Sequence, residues 1–79
     1  MLLPSSKAIA EIDQDIAEAE RLIHERLQSI MAALRSGGDT AESENRVRRM
    51  REALELLQVQ RRKLVRAAFE PQSRSAKAA

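Results

Sequence analysis

The sequence contains no cysteine, tryptophan or tyrosine, and its 79 residues include only one phenylalanine, two glycines and two prolines. Without cysteine, the chain has neither a disulfide framework nor a thiolate zinc site. Alanine, leucine, isoleucine, glutamate and arginine are abundant instead, and this combination is typical of long helices rather than of a sheet. The composition predicts an all-α protein.

Long apolar runs are also missing, and the opening residues MLLP lack the basic segment that is typical of a secretion signal. We therefore expect a cytoplasmic protein with no membrane partner. A chain of 79 residues forms at most one domain, and a single core of this size is usually only marginally stable. We expect extra stabilisation from a partner.

The first predicted helix covers residues 5–36 and follows a short lead, residues 1–4, in which Pro4 precedes two serines. Ser5 or Ser6 can accept a hydrogen bond from a free backbone N–H and so cap the helix. Isoleucine then recurs every seven residues with apolar residues between, which indicates one apolar helix face. This face consists of Ile9, Ile12, Ile16, Ala19, Ile23, Leu27, Ile30 and Leu34.

Residues 37–39 are predicted to form a turn between two helices. Gly37 or Gly38 can adopt the left-handed conformation that ends a helix, and Asp39 with Glu42 matches a capping box. So short a connection makes the helices antiparallel neighbours. The sequence therefore predicts a coiled-coil-like helical hairpin.

The second predicted helix covers residues 40–70 and repeats the alternation of three- and four-residue steps. Its inner face consists of Val47, Met50, Leu54, Leu57, Arg61, Leu64 and Ala68, so one charged residue interrupts an apolar seam. The last residues, 71–79, contain no apolar side chain larger than alanine. They are predicted to be a disordered tail.

One register of the hairpin aligns both the apolar residues and the charges. Its layers nearest the turn are Ile30 with Val47, Leu27 with Met50, and Ile23 with Leu54. The formal net charge of +2 conceals an acidic excess in the first helix and a basic excess in the second, so the helices attract each other.

Two ion pairs between the helices follow from this register. Arg61 interrupts the seam, where an unpaired charge would destabilise the hairpin, and three acids of the first helix lie within its reach. A second pair joins Glu25 to Arg51. The three acids near Arg61 are Asp13, Asp15 and Glu20.

Further apolar residues, namely Leu22, Leu56 and Val59, lie off the seam and form a possible partner surface. Two hairpins that cover such residues would form a homodimeric four-helix bundle. A helix of another protein could fill the same groove, and a third interpretation is that these are ordinary scattered surface residues. The core and self-association residues are predicted to be Ile9, Ile12, Ile16, Ile23, Leu27, Ile30, Val47, Met50, Leu54, Leu57 and Leu64.

The sequence has few features that point to catalysis or to a metal or cofactor site. A two-helix hairpin offers no obvious concave site, and His24 is the single histidine, so we expect neither catalysis nor a metal nor a cofactor. The prediction is a small non-catalytic protein–protein interaction module: an adaptor, an assembly factor or a co-chaperone-like subunit.

Nucleic-acid binding is the alternative function. Arg62, Lys63 and Arg66 form a basic end of the second helix that could neutralise phosphates. Glu52 and Glu55 share the outer face of this helix and dilute its positive charge. Nucleic acid is therefore a weaker prediction than a protein partner.

Overall fold

The computed structural model describes residues 4–69, which form two helices, α1 (Pro4–Arg35) and α2 (Ala41–Phe69). The helices pack against each other. They run antiparallel, because Asp13 near the start of α1 contacts Arg61 near the end of α2, whereas Ile30 shares a cluster with Val47. The predicted all-helical hairpin is confirmed. Neither helix contains a segment both long and apolar enough to cross a membrane.

Helix α1 begins at Pro4, so both serines of the predicted cap lie inside its first turn, and that prediction is wrong. Proline suits a first turn, because its missing N–H has no partner there and its fixed φ is already helical. Residue 70 and the predicted tail, residues 71–79, lie outside the described residues, as does most of the predicted lead.

The glycine pair ends α1. Gly37 has a φ of +79°, its N–H donates to the carbonyl of Leu34 at 3.1 Å, and the N–H of Gly38 donates to the carbonyl of Ala33 at 2.8 Å. These two hydrogen bonds around one left-handed residue form a Schellman motif. The motif satisfies carbonyls that the helix end leaves free and turns the chain back toward α2.

Helix α2 begins differently from the prediction. The carbonyl of Thr40 accepts from the N–H of Glu44 at 2.9 Å, and the Thr40 hydroxyl donates to the Glu44 carboxylate at 3.0 Å. Asp39 accepts from the N–H of Ala41 at 3.0 Å rather than pairing with Glu42. The predicted capping box is wrong, because the helix begins one residue later and the buried Thr40 precedes its first turn.

The core of the hairpin is narrow. Its centre consists of the buried residues Ile23, Ile30 and Val47. Leu27, Met50 and Leu54 pack against them, so that all three predicted layers nearest the turn meet. Ile12 is buried nearer the open end, but no side chain in the described part of the chain is fully buried.

Leu34 is an exception to the predicted inner face, since 58% of it is exposed. It lies in the last turn of α1, where the chain leaves for the connection. Helix α2 starts there with the mainly polar sequence AESEN, so no large aliphatic residue is available to cover Leu34. The apolar stripe of α1 therefore extends beyond the region that α2 can cover.

Replacing Gly37 with alanine should destabilise the hairpin by about 1 kcal/mol or more, because a Cβ is strained at positive φ. Gly37→Asn is the matched control, since asparagine tolerates the left-handed conformation better. Urea denaturation followed by helical circular dichroism at one protein concentration measures both losses. Equal stability of the two variants would contradict this account of the turn.

Candidate functional site

Grooves run along both sides of the seam between the helices. On one side, Leu22 and Arg26 of α1 lie beside Arg46 and Met50 of α2. Leu64 is about four helical turns from Met50 and projects to the same side, where it lines a second groove with Ile12, Gln60 and Lys63. We call this side face 1.

Face 1 combines small residues of α1 with large aliphatic residues of α2. Its alanines at positions 8, 19 and 33 are half-buried, and so are Met50, Leu57 and Leu64. Leu22 is 41% exposed despite its size. The face is therefore a shallow strip of apolar side chains along most of the hairpin, and charged residues line it near the turn and at the open end, namely Glu25, Arg26, Arg46 and Lys63.

The opposite side, face 2, also combines apolar and charged side chains. Its groove is lined by Leu27, Ile30 and Val47 together with Glu44, Arg48 and Arg51. The predicted pair between Glu25 and Arg51 is wrong, because Glu25 lines the groove of face 1 whereas Arg51 lines that of face 2.

The predicted partner surface of Leu22, Leu56 and Val59 is not one surface. Leu56 and Val59 line a shallow groove on the outside of α2, away from α1, whereas Leu22 lies on face 1. Leu56 is 65% exposed, while Val59 is half-buried between its neighbours on the helix. The structure thus separates two apolar locations that the sequence pattern had combined.

Comparisons with protein-family models, with curated proteins and with solved structures found no match to this chain. Its function is therefore inferred from these surfaces and their charges.

One ion pair joins the helices among residues 6–69. The Nε of Arg61 donates to the Asp13 carboxylate at 2.5 Å, so the predicted contact of Arg61 with an acid of α1 is confirmed. The Arg61 side chain is 43% exposed, so the seam holds its charge at the edge of the core rather than inside it. The pair fixes the open end of the hairpin where the apolar cluster does not reach.

Three other charges of α1 pair within that helix. Arg21 contacts both Glu18 and Glu25. The hydrogen bonds that Arg21 donates to Glu18, together with its charge, hold the pKa of that carboxyl below its ordinary value. Arg21 and its acids therefore contribute little to contacts with α2.

The predicted basic patch is exposed. Arg62, Lys63 and Arg66 lie within about 100° of the circumference of α2 and take part in no ion pair among the described residues. Phe69, which is 81% exposed, lies on the same side of the helix as Arg62. Its spacing of seven residues from Arg62 places it on this surface.

Side chains that could bind a metal ion do not cluster in the described part of the chain. His24 is exposed, and no three acidic, histidine or cysteine side chains there are close enough to hold a metal ion. The grooves are shallow, and their polar residues are mainly charged side chains exposed to solvent.

A double-mutant cycle with Asp13→Asn and Arg61→Gln should give a coupling energy of roughly 0.2–1 kcal/mol, because both side chains are about half exposed. The coupling should shrink as salt concentration rises. Urea denaturation of the four proteins measures it, and the same cycle with Asp13→Asn and Arg62→Gln is the control. A coupling no larger than that of the control would contradict the pairing.

Proposed function

We propose that this chain is a small non-catalytic protein–protein interaction module that acts through self-association. In this proposal it serves as an adaptor, an assembly factor or a co-chaperone-like subunit. The observation that carries the proposal is face 1, an apolar strip along a hairpin in which no described side chain is fully buried.

The narrow core of the hairpin supports the proposal, because it leaves large aliphatic side chains only partly buried. Each large aliphatic side chain contributes ~1.5–3 kcal/mol only when it is fully removed from water. Met50, Leu57 and Leu64 are half-buried in the hairpin, and Leu22 is more exposed still. A partner on face 1 would complete their burial without any change in the hairpin itself.

A second hairpin is the simplest partner. Two hairpins packed through face 1 would form a four-helix bundle, in which each helix buries a wider part of its surface than in the single hairpin. Paired homo-oligomers with two-fold symmetry are the commonest assemblies of this kind. A helix of another protein is the competing occupant.

The melting temperature should rise with protein concentration, because association stabilises the folded state by mass action. Leu57→Asp should abolish both association and most helicity, since it places a charge where the seam meets face 1. Leu56→Asp is the matched control on the exposed outside of α2 and should preserve both. Circular dichroism melts and light scattering measure these outcomes, and a stable monomer at every concentration would exclude self-association.

A second candidate function is supported by the basic end of α2. Arg62, Lys63 and Arg66 are exposed without ion pairs among the described residues, and the exposed Phe69 lies beside them. Such a patch could contact phosphates through its cations and stack one base on its aromatic ring. Its small size makes this the weaker proposal.

Changing Arg62, Lys63 and Arg66 together to glutamate should remove nucleic-acid binding while the hairpin stays folded, since all three are exposed. The affinity of the unmodified chain should also fall steeply with salt. Mobility shifts with mixed RNA and DNA at low salt test both points. No shift of the unmodified chain under these conditions would exclude this second function.

A further inference from the structure

We propose that the occupant of face 1 is a second copy of this chain in antiparallel orientation, with the turn of each hairpin beside the open end of the other. The inference rests on the proposed self-association and adds its geometry. It is carried by the order of residues on face 1, by the charges of Asp15 and Arg26, and by the register of the hairpin.

Eight residues of α1 on this side of the hairpin are arranged symmetrically about a point between Ala19 and Leu22. A two-fold axis at that point would bring each residue opposite a counterpart from the second copy, as an isologous interface requires. Small residues would meet at the ends, an apolar residue would then meet a small polar one, opposite charges would follow, and apolar residues would meet at the centre. The counterparts are Ala8 with Ala33, Ile12 with Ser29, Asp15 with Arg26, and Ala19 with Leu22.

Charge complementarity selects this arrangement. Neither Asp15 nor Arg26 belongs to an ion pair among residues 6–69, and Arg26 is half-buried in the groove of face 1. In the antiparallel dimer, Asp15 of each copy lies at Arg26 of the other, so the interface contains two such pairs. Asp15 and Arg26 then neutralise each other where they leave water.

Helix α2 has its own symmetric centre. Leu57 lies seven residues from both Met50 and Leu64, so a two-fold axis at Leu57 brings it against itself and joins Met50 to Leu64 of the other copy. Each contact is between aliphatic side chains that the single hairpin leaves half-buried. The large residues of α2 would thus fill the interface while the alanines of α1 allow close approach.

The symmetric centres of α1 and α2 lie at the same position along the hairpin axis. Leu54 packs against the cluster that contains Ile23, and the helices run antiparallel. Leu57 is three residues beyond Leu54, so it lies level with the position three residues before Ile23, between Ala19 and Leu22. One axis therefore satisfies both helices, although nothing in either sequence alone requires the two centres to agree.

Parallel association would be electrostatically unfavourable. Arg26 and Arg46 line the same groove near the turn, and the acid of that groove, Glu25, already pairs with Arg21. If the two turns lay at the same end, each Arg26 would approach Arg46 of the other copy, which gathers four arginines at one end of the interface. Like charges across an interface oppose association, so the antiparallel dimer is favoured.

Charge reversal tests the pairing. Asp15→Arg and Arg26→Asp should each raise the Kd of the dimer by at least about tenfold, because each creates two like-charge contacts. Mixing the two variants should restore association, since a heterodimer would contain Arg opposite Asp at both sites. Glu52→Arg and Arg62→Asp, on the outside of α2, are the matched controls and should change the Kd little. Tighter association of Arg26→Asp alone would overturn the inference, because parallel packing predicts that result.

A distance measurement tests the orientation. The chain has no cysteine, so Ser36→Cys gives a single labelling site at the turn. Pulsed electron paramagnetic resonance on the labelled dimer should give about 45 Å, from ~15 residues at ~1.5 Å each on either side of the axis. A distance below about 25 Å, as parallel packing requires from helix diameters of ~10 Å, would overturn the antiparallel dimer. Sedimentation of the unmodified chain separates the two proposals, since a monomer at all concentrations would overturn self-association itself.

Discussion

The width of one apolar seam limits everything else in this structure. Two helices can bury only the stripe along which they touch, and here that stripe buries Ile23, Ile30 and Val47 near the turn but leaves the open end thinly covered. The Schellman motif at Gly37, the Thr40 cap and the pair between Arg61 and Asp13 all act on the ends of that stripe. The connection also fixes the register, because a slide of one heptad would need about 10 Å more chain.

Much of the fold could be predicted from the sequence because few solutions satisfy its spacing. Isoleucine at every seventh residue defines one face of a helix, and a glycine pair between two such faces predicts a hairpin. The details of the connection were less certain, since adjacent residues compete for the same backbone donors. Thr40 rather than Asp39 precedes the first turn of α2, and Gly37 rather than Gly38 takes the left-handed conformation.

Charge contacts and surfaces were predicted less well, for a geometric reason. A helical wheel gives the angle of a residue about its own axis, but the side of the hairpin on which it lies depends on how the second helix packs. Leu22 and Leu56 were therefore grouped although they line different grooves. Exposed acids also have partners one turn away, so Glu25 contacts Arg21 rather than an arginine of α2. The pair between Arg61 and Asp13 could be predicted because no acid lies one turn away from Arg61 on α2.

The contrast between the two faces bears on how large an assembly can become. If both faces were apolar strips, hairpins could stack on either side and association would continue without limit. Both faces carry charges, but the proposed dimer pairs Arg26 of face 1 with Asp15. Face 2 carries Arg48 and Arg51 nearer the turn, and Arg61 with Asp13 lies near the open end. Stacking there would remove these charges from water, which opposes association. Within the proposed dimer, the first partner occupies face 1. The charged side chains that interrupt and flank the seam on face 2 oppose a further partner, so the assembly closes as a pair rather than growing into a filament.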